Sequence, residues 1–245
     1  MLLTIDERRK VIIPGDKAET IAYAADHFIN LAKSAIAFHG TFFVALSGGS
    51  TPKLIYEKIA LSHEQSIDWS KVFLFWSDER AVNGDHPDSN YKMAMDTGMG
   101  QLGIPESQIF RMKGEGDIIA HADEYECVIK NTLQERHFDL IMLGVGEDGH
   151  TASLFPNTKG LFNKKRLVIA NEVPQKNCWR MTFTYTLINS AHNICFYAIG
   201  NEKSKIIDKI LFKNECPASL VGDLLHPATW ILDCYAGNSL LKHFT

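Results

Sequence analysis

The chain has 245 residues, of which 45% are hydrophobic and 22% charged, with a formal net charge of −4. That length buries a sizeable core, as one large α/β domain or two small ones, and the charge supplies no field to draw nucleic acid or an anionic membrane surface. An anionic small molecule stays open, because it needs only a local cluster of donors. The opening MLLTIDERRKVIIPG lacks the apolar stretch of a signal peptide, and no apolar run is long enough to span a bilayer, so a cytoplasmic location is expected. Cys127, Cys178, Cys195, Cys216 and Cys234 are scattered and without a C-x-x-C pair, which reads as free thiols in a reducing compartment.

Taken in chain order, residues 16–38 are predicted as a helix, with Ala24, Phe28, Leu31 and Ala35 at helical spacing and Gly40 as the stop. TFFVALS (41–47) reads as a buried strand. TPKLIYEKIA (51–60) reads as a helix with Pro52 in its first turn and a small hydroxyl residue as cap. KVFLFWSDE (71–79) is a second strand, followed by an irregular loop over 83–91 and a helix through 92–99. QIFRM (108–112) reads as a short strand, residues 117–136 as a long amphipathic helix, and FDLIMLGVG (138–146) as another buried strand. Strands are predicted at 166–173, 179–184 and 193–200, the last two separated by a short helical LINSAH. A helix over 201–212 and a strand over 228–235 complete the pattern. Apolar strands alternating with amphipathic helices imply a mostly parallel sheet covered on both faces, with ligands beyond the carboxyl ends of its strands.

Four strand ends carry chemistry. Ser47-Gly48-Gly49-Ser50-Thr51 joins a strand directly to a helix, where backbone N–H groups and a helix N-terminus suit a phosphate monoester. The spacing is neither a Walker A loop nor G-x-G-x-x-G, and a tight turn with no ligand has the same form. Asp78-Glu79-Arg80 leaves a strand of Phe, Leu and Trp; the same tripeptide recurs as Asp6-Glu7-Arg8 in a polar setting, so its position rather than its composition is the signal. The DHPD segment that follows is more simply a proline-bent loop than a metal site. The stretch LGVGEDGHTASLFP (143–156) delivers Asp148 and His150 into a glycine-rich bend, where the imidazole can exchange a proton with water and the carboxylate can hold its tautomer. Arg180 and Lys203, each equally readable as a surface charge, complete a phosphate pocket if they project from the same sheet edge. Lys205 is a substitute for Lys203 but fits a solvated helix position.

With LSGGSTP, W-S-D-E-R, D-S-N-Y, G-x-G-x-D-G-H-T-A-S-L-F-P, R-x-T and G-x-x-K in that order, and a later PASLV…TWILD, the chain resembles the 6-phosphogluconolactonases related to glucosamine-6-phosphate isomerase/deaminase. The resemblance covers nearly the whole chain. It implies one domain over 1–245, a Rossmann-like three-layer α/β/α fold of the glucosamine-6-phosphate deaminase kind, and hydrolysis of 6-phospho-D-glucono-1,5-lactone in the oxidative pentose phosphate pathway. It also implies no metal or nucleotide cofactor and a phosphosugar lactone as the small-molecule partner; charge and hydropathy give no nucleic acid or membrane partner, and a monomer or small homo-oligomer is expected. Carried over residue by residue, Ser47, Gly48, Gly49, Ser50, Thr51, Arg180 and Lys203 hold the phosphate. His150 is the general base, Asp148 its support, Arg80 a substrate or oxyanion ligand, and Asp78 a positioner of sugar hydroxyls or of Arg80. Ala81 departs from a frequent cysteine, and VPQKNCW is a loose version of the approach to the arginine.

Three rival readings are separable. A glucosamine-6-phosphate deaminase shares the glycine loop and Asp-Gly-His but continues A-F-N-E-P and carries D-E-Y, against Ala152-Ser-Leu-Phe-Pro156 and Asp78-Glu-Arg80 here. A non-catalytic sugar-phosphate sensor needs no Asp148–His150 pair and usually brings a DNA-binding module, for which no basic segment is left. An NAD-dependent enzyme lacks its dinucleotide fingerprint.

Overall fold

The computed structural model describes residues 1–244. In chain order, the strands and α-helices are β1 (Leu2–Asp6), β2 (Arg9–Ile12), α1 (Lys17–His39), β3 (Phe42–Leu46), α2 (Ser50–His63), β4 (Val72–Trp76), β5 (Asp78–Arg80) and α3 (Asn90–Asp96). They continue with α4 (Ile118–Leu133), β6 (Leu140–Leu143), β7 (Val168–Val173), β8 (Cys178–Phe183), α5 (Tyr185–Ile188), β9 (Ile194–Ala198), α6 (Ser204–Lys213) and β10 (Ala228–Leu232). Seven strands form the central sheet in the order β1-β2-β10-β9-β6-β3-β4, parallel except for the β1–β2 pair. This is a three-layer α/β/α architecture.

The alternation of side chains explains why both faces are covered. In register, Phe42, Val44 and Leu46 of β3 lie beside Val72, Leu74 and Trp76 of β4, and every one of them is buried. Phe42 meets Phe28 of α1 edge-on at 5.3 Å. The alternate positions face the other way, where Phe75 packs at 6.3 Å from Tyr125 of α4 and 5.1 Å from Phe138. Strands apolar on both sides are stable only under helices on both sides. Asp16 caps α1 through a capping box with Glu19, and Gly40 ends it at φ 88°, where a left-handed backbone favours glycine.

Four expectations are corrected. The strand over 71–79 breaks at Ser77, whose N–H donates to Leu46 O in the central sheet while its carbonyl accepts from Phe183 N. Beyond Leu46 the neighbouring chain turns away, so Asp78–Arg80 pairs instead with β8 in a separate antiparallel sheet of order β5-β8-β7. The strands predicted at 166–173 and 179–184 therefore belong to that small sheet and not to the parallel one. Residues 108–112 form no strand: one bridge joins Ile109 to Leu74, and Tyr125 Oη occupies the Phe110 carbonyl at 2.8 Å. Helix α2 begins at Ser50 on Gly49, with no hydroxyl or other side chain capping it. An unexpected hairpin, β1–β2, closes one sheet edge, and its turn places Asp6-Glu7-Arg8 at the surface with Asp6 paired to Arg9.

Chain order sets the site. β3 connects outward through α2 to β4, and the chain then crosses to β6 on the other side of β3. The loops leaving β3 and β6 diverge at this reversal and open a crevice, the position that α/β sheets use for ligands. No helix among the described residues is long and apolar enough to cross a membrane.

Candidate active site

A cavity of about 190 Å³ occupies that crevice. Its walls bring together Ser47, Gly48, Gly49, Ser50 and Thr51 from the β3–α2 junction, Asp78 and Arg80 from β5, His150 from the loop after β6, Arg180 from β8, and Lys203 from the turn after β9. Asp148 stands behind His150 and does not line the cavity; Lys205 is exposed on α6 and does not line it either.

At the glycine loop, the Tyr56 hydroxyl accepts from Ser47 N at 3.0 Å and donates to Ser47 O at 2.8 Å, pinning the last turn of backbone before the helix. Gly48 lies so close to Asn90 that a Cβ there would stand 1.8 Å from Asn90 Oδ1. Because no side chain caps α2, its first N–H groups and the positive end of its dipole face the cavity.

The cationic side is unusual in its pairing. Arg80 and Arg180 stand opposite one another in the β5–β8 ladder, where like charges repel. Among the described residues neither arginine nor Lys203 has a carboxylate within ion-pair distance. Arg80 Nη1 donates to the Asp88 carbonyl, Arg180 Nε contacts Cys178 Sγ at 3.5 Å, and Lys203 Nζ donates to Val145 O at 3.1 Å. Three cations with only neutral partners around one cavity suit an anionic ligand.

In the histidine loop, Asp148 Oδ1 receives both the His150 backbone N–H at 3.1 Å and the imidazole Nδ1 at 2.5 Å. Burial pushes the Asp148 carboxyl up, but the hydrogen bond and charge of His150 outweigh it and leave the pKa below the usual aspartate value. An ionised carboxylate only accepts, so Nδ1 carries the hydrogen, and in the neutral imidazole Nε2 is then the nitrogen with the lone pair. The loop is closed by Gly146 N donating to His150 O and Gly149 N donating to Gly146 O.

This arrangement of loops matches a known pattern. A family model described as glucosamine-6-phosphate isomerases/6-phosphogluconolactonase matches residues 15–230. The chain belongs to that family. It is 39% identical over 241 residues to the 6-phosphogluconolactonase of Chlamydia muridarum, covering 95% of this chain and 92% of that one. The 6-phosphogluconolactonase of Synechocystis sp. is 39% identical over 216 residues, covering 84% and 88% respectively. Among solved structures, 6-phosphogluconolactonase from Trypanosoma cruzi superposes with a TM-score of 0.84 at 26% identity, over 98% of each chain. A monomeric glucosamine-6-phosphate deaminase shares the fold at TM-score 0.78 and 21% identity, covering 93% of this chain and 98% of that one.

Within this family member, several residues that organise the site stand in motifs noted from the sequence but were given no role there. Glu79, 2% exposed, accepts from Arg80 N, Ser89 Oγ, Asn90 N and Tyr91 N, and thereby ties β5 to the start of α3; its burial drives its pKa up despite those four bonds. Asn90 Nδ2 donates to Asp78 O at 2.9 Å and to Asp78 Oδ1 at 3.2 Å. Ser153 Oγ donates to Asp78 Oδ2 at 2.6 Å, and the Ser153 N–H donates to Thr182 Oγ1 at 3.0 Å. Asp78 is thus held between the DSNY segment and the histidine loop, and makes no ion pair with Arg80. The one available signal was the presence of Ser89, Asn90 and Ser153 inside motifs of otherwise unexplained polarity.

Proposed function

We propose that this chain, acting as one domain, hydrolyses 6-phospho-D-glucono-1,5-lactone to 6-phospho-D-gluconate, the lactone-opening step of the oxidative pentose phosphate pathway. The observation that carries the reading is a single cavity with three cations lacking carboxylate partners and an uncapped helix N-terminus beside a histidine whose Nδ1 is held by a carboxylate. The names of the relatives at 39% identity support the same substrate.

In this reading the Ser47–Thr51 loop, through the backbone amides of Gly48 to Thr51, holds the 6-phosphate together with Arg180 and Lys203. His150 Nε2 takes a proton from water as the water oxygen attacks C1 of the lactone. The carbonyl electron pair moves onto oxygen, and Arg80 stabilises that oxyanion. The pair then returns, the bond from C1 to the ring oxygen breaks, and His150 gives its proton to that oxygen as it becomes a hydroxyl. Asp148 holds the Nδ1–H tautomer and stabilises the transient imidazolium. Asp78 orients sugar hydroxyls on the cavity wall.

Lactone hydrolysis, corrected for the spontaneous rate, is the test. His150→Ala is expected to lower kcat by roughly 10²- to 10⁴-fold while phosphate-dependent binding persists. Wild-type kcat in that variant, or ammonia release from glucosamine 6-phosphate faster than lactone hydrolysis, removes the proposal.

A further inference from the structure

The segment after the histidine, Ser153-Leu-Phe-Pro156, distinguishes this chain from the deaminase pattern, yet the mechanism above gives Phe155 no task. Phe155 is 2% exposed, and its ring stacks on the His150 imidazole with centroids 3.9 Å apart and planes inclined by 18°. The Nδ1–Cε1 edge of the same imidazole is equally confined. A Cβ added at Gly146 would lie 2.1 Å from both Nδ1 and Cε1, so only a glycine lets the backbone approach the ring there. Asp148 anchors Nδ1, and His150 lines the cavity.

We propose that Phe155 is a positioning residue for His150: its ring covers one imidazole face and, with the Gly146 backbone and Asp148, holds Nε2 toward the attacking water. The inference rests on the lactonase reading. Its physical basis is exposure: the His150 side chain is 27% exposed and that of Asp148 41% exposed, so the hydrogen bond between them would by itself leave the ring able to rock about that bond. A buried aromatic plane removes that freedom, since tilting the imidazole would drive it into the Phe155 ring. A base displaced by about 1 Å costs up to roughly 100-fold in rate without any loss of substrate binding.

Three variants test this. Phe155→Leu keeps an apolar side chain but removes the plane, and is expected to lower kcat by roughly 10- to 100-fold with KM unchanged. Phe155→Tyr keeps the plane and is expected to retain wild-type-like kcat per folded molecule. Gly146→Ala is expected to dislodge the imidazole and lower kcat while inorganic phosphate still binds. Melting curves fix the folded fraction in each case. A spectroscopic check is independent of activity: the His150 ring protons lie in the shielding zone of Phe155, so their NMR signals should move downfield in Phe155→Leu and stay upfield in Phe155→Tyr. Wild-type kcat per folded molecule in Phe155→Leu overturns the proposal, as does an equal fall in Leu and Tyr variants, or His150 signals that do not move. If instead the wild type itself fails to hydrolyse the lactone, the functional reading falls first; if only His150→Ala is inactive and Phe155→Leu is not, the reading stands and the positioning role does not.

Discussion

Replacing Asp148 separates charge from orientation in the His150 pair. In Asp148→Asn, Oδ1 can still accept both the His150 backbone N–H and the Nδ1–H, which now reach the carboxylate at 3.1 and 2.5 Å. Geometry and tautomer are therefore kept, and only the negative charge is lost. A charge-assisted hydrogen bond is about twice as strong as a neutral one, which puts the loss near 1 kcal/mol. When His150 becomes an imidazolium, the missing Coulomb attraction adds about 1–4 kcal/mol at contact range, depending on the effective dielectric. Because the Asp148 side chain is 41% exposed, solvent screening holds that contribution to the lower end. A total of about 2–3 kcal/mol corresponds to a roughly 30- to 150-fold fall in kcat. Asp148→Ala also abandons the tautomer and is expected to fall further, toward His150→Ala, with KM little changed because the phosphate contacts lie across the cavity. The assay is acid release from freshly prepared lactone, at saturating and limiting substrate, minus the spontaneous rate. Full kcat in Asp148→Ala would refute the reasoning, since neither charge nor tautomer control would then matter.

Removing the imidazole should act back on its partner. In His150→Ala the Asp148 pKa is expected to rise, because the hydrogen bond and positive charge that hold it down are gone while residual burial pushes upward; a carboxyl ¹³C titration reads this directly, and an unchanged value contradicts the pairing. Inorganic phosphate at one hundred times its dissociation constant should stabilise the fold by about 2.7 kcal/mol, raising Tm by roughly 5–10 °C, and Arg180→Ala and Lys203→Ala should each reduce that shift at fixed phosphate concentration. Glu126, 4% exposed, joins α4 to the start of β7 by accepting from Arg166 and the N–H groups of Leu167 and Val168, and pairs with Lys130 one turn along α4. Burial pushes its carboxyl up, but these partners bring its pKa down to about 2 from an ordinary value of 4.5. The folded pKa is depressed, so this stabilisation is fully present above pH 4.5 and fades as pH falls toward 2. Urea melts of wild type and Glu126→Gln should accordingly differ most near neutrality and converge in acid; a difference independent of pH would exclude the ionic contribution.

Local chemistry determined a good part of this protein from sequence alone. Continuous apolar runs and helical spacing mark the strands and helices of the central layers, because a strand covered on both faces is apolar on both sides and a helix buries one apolar stripe. Glycines followed at once by a helix mark the turn at Ser47–Thr51 for similar local reasons, and an Asp two residues before a His can reach that residue's ring without help from elsewhere. Long-range decisions were different. Nothing in KVFLFWSDE shows that its strand changes sheets at Ser77, because the cause is the departure of the chain beyond Leu46, thirty-one residues earlier. The antiparallel β5-β8-β7 sheet sets Arg80 against Arg180, one hundred residues apart, and this register brings the cations to one cavity. Likewise Asn90, Asp78 and Ser153 become one network, and Phe155 becomes the surface on which His150 rests, only once the loops meet at the sheet's reversal point. Periodicity records which face a side chain turns toward the core; the partner it meets there depends on strand order and register, which distant parts of the chain settle together by packing.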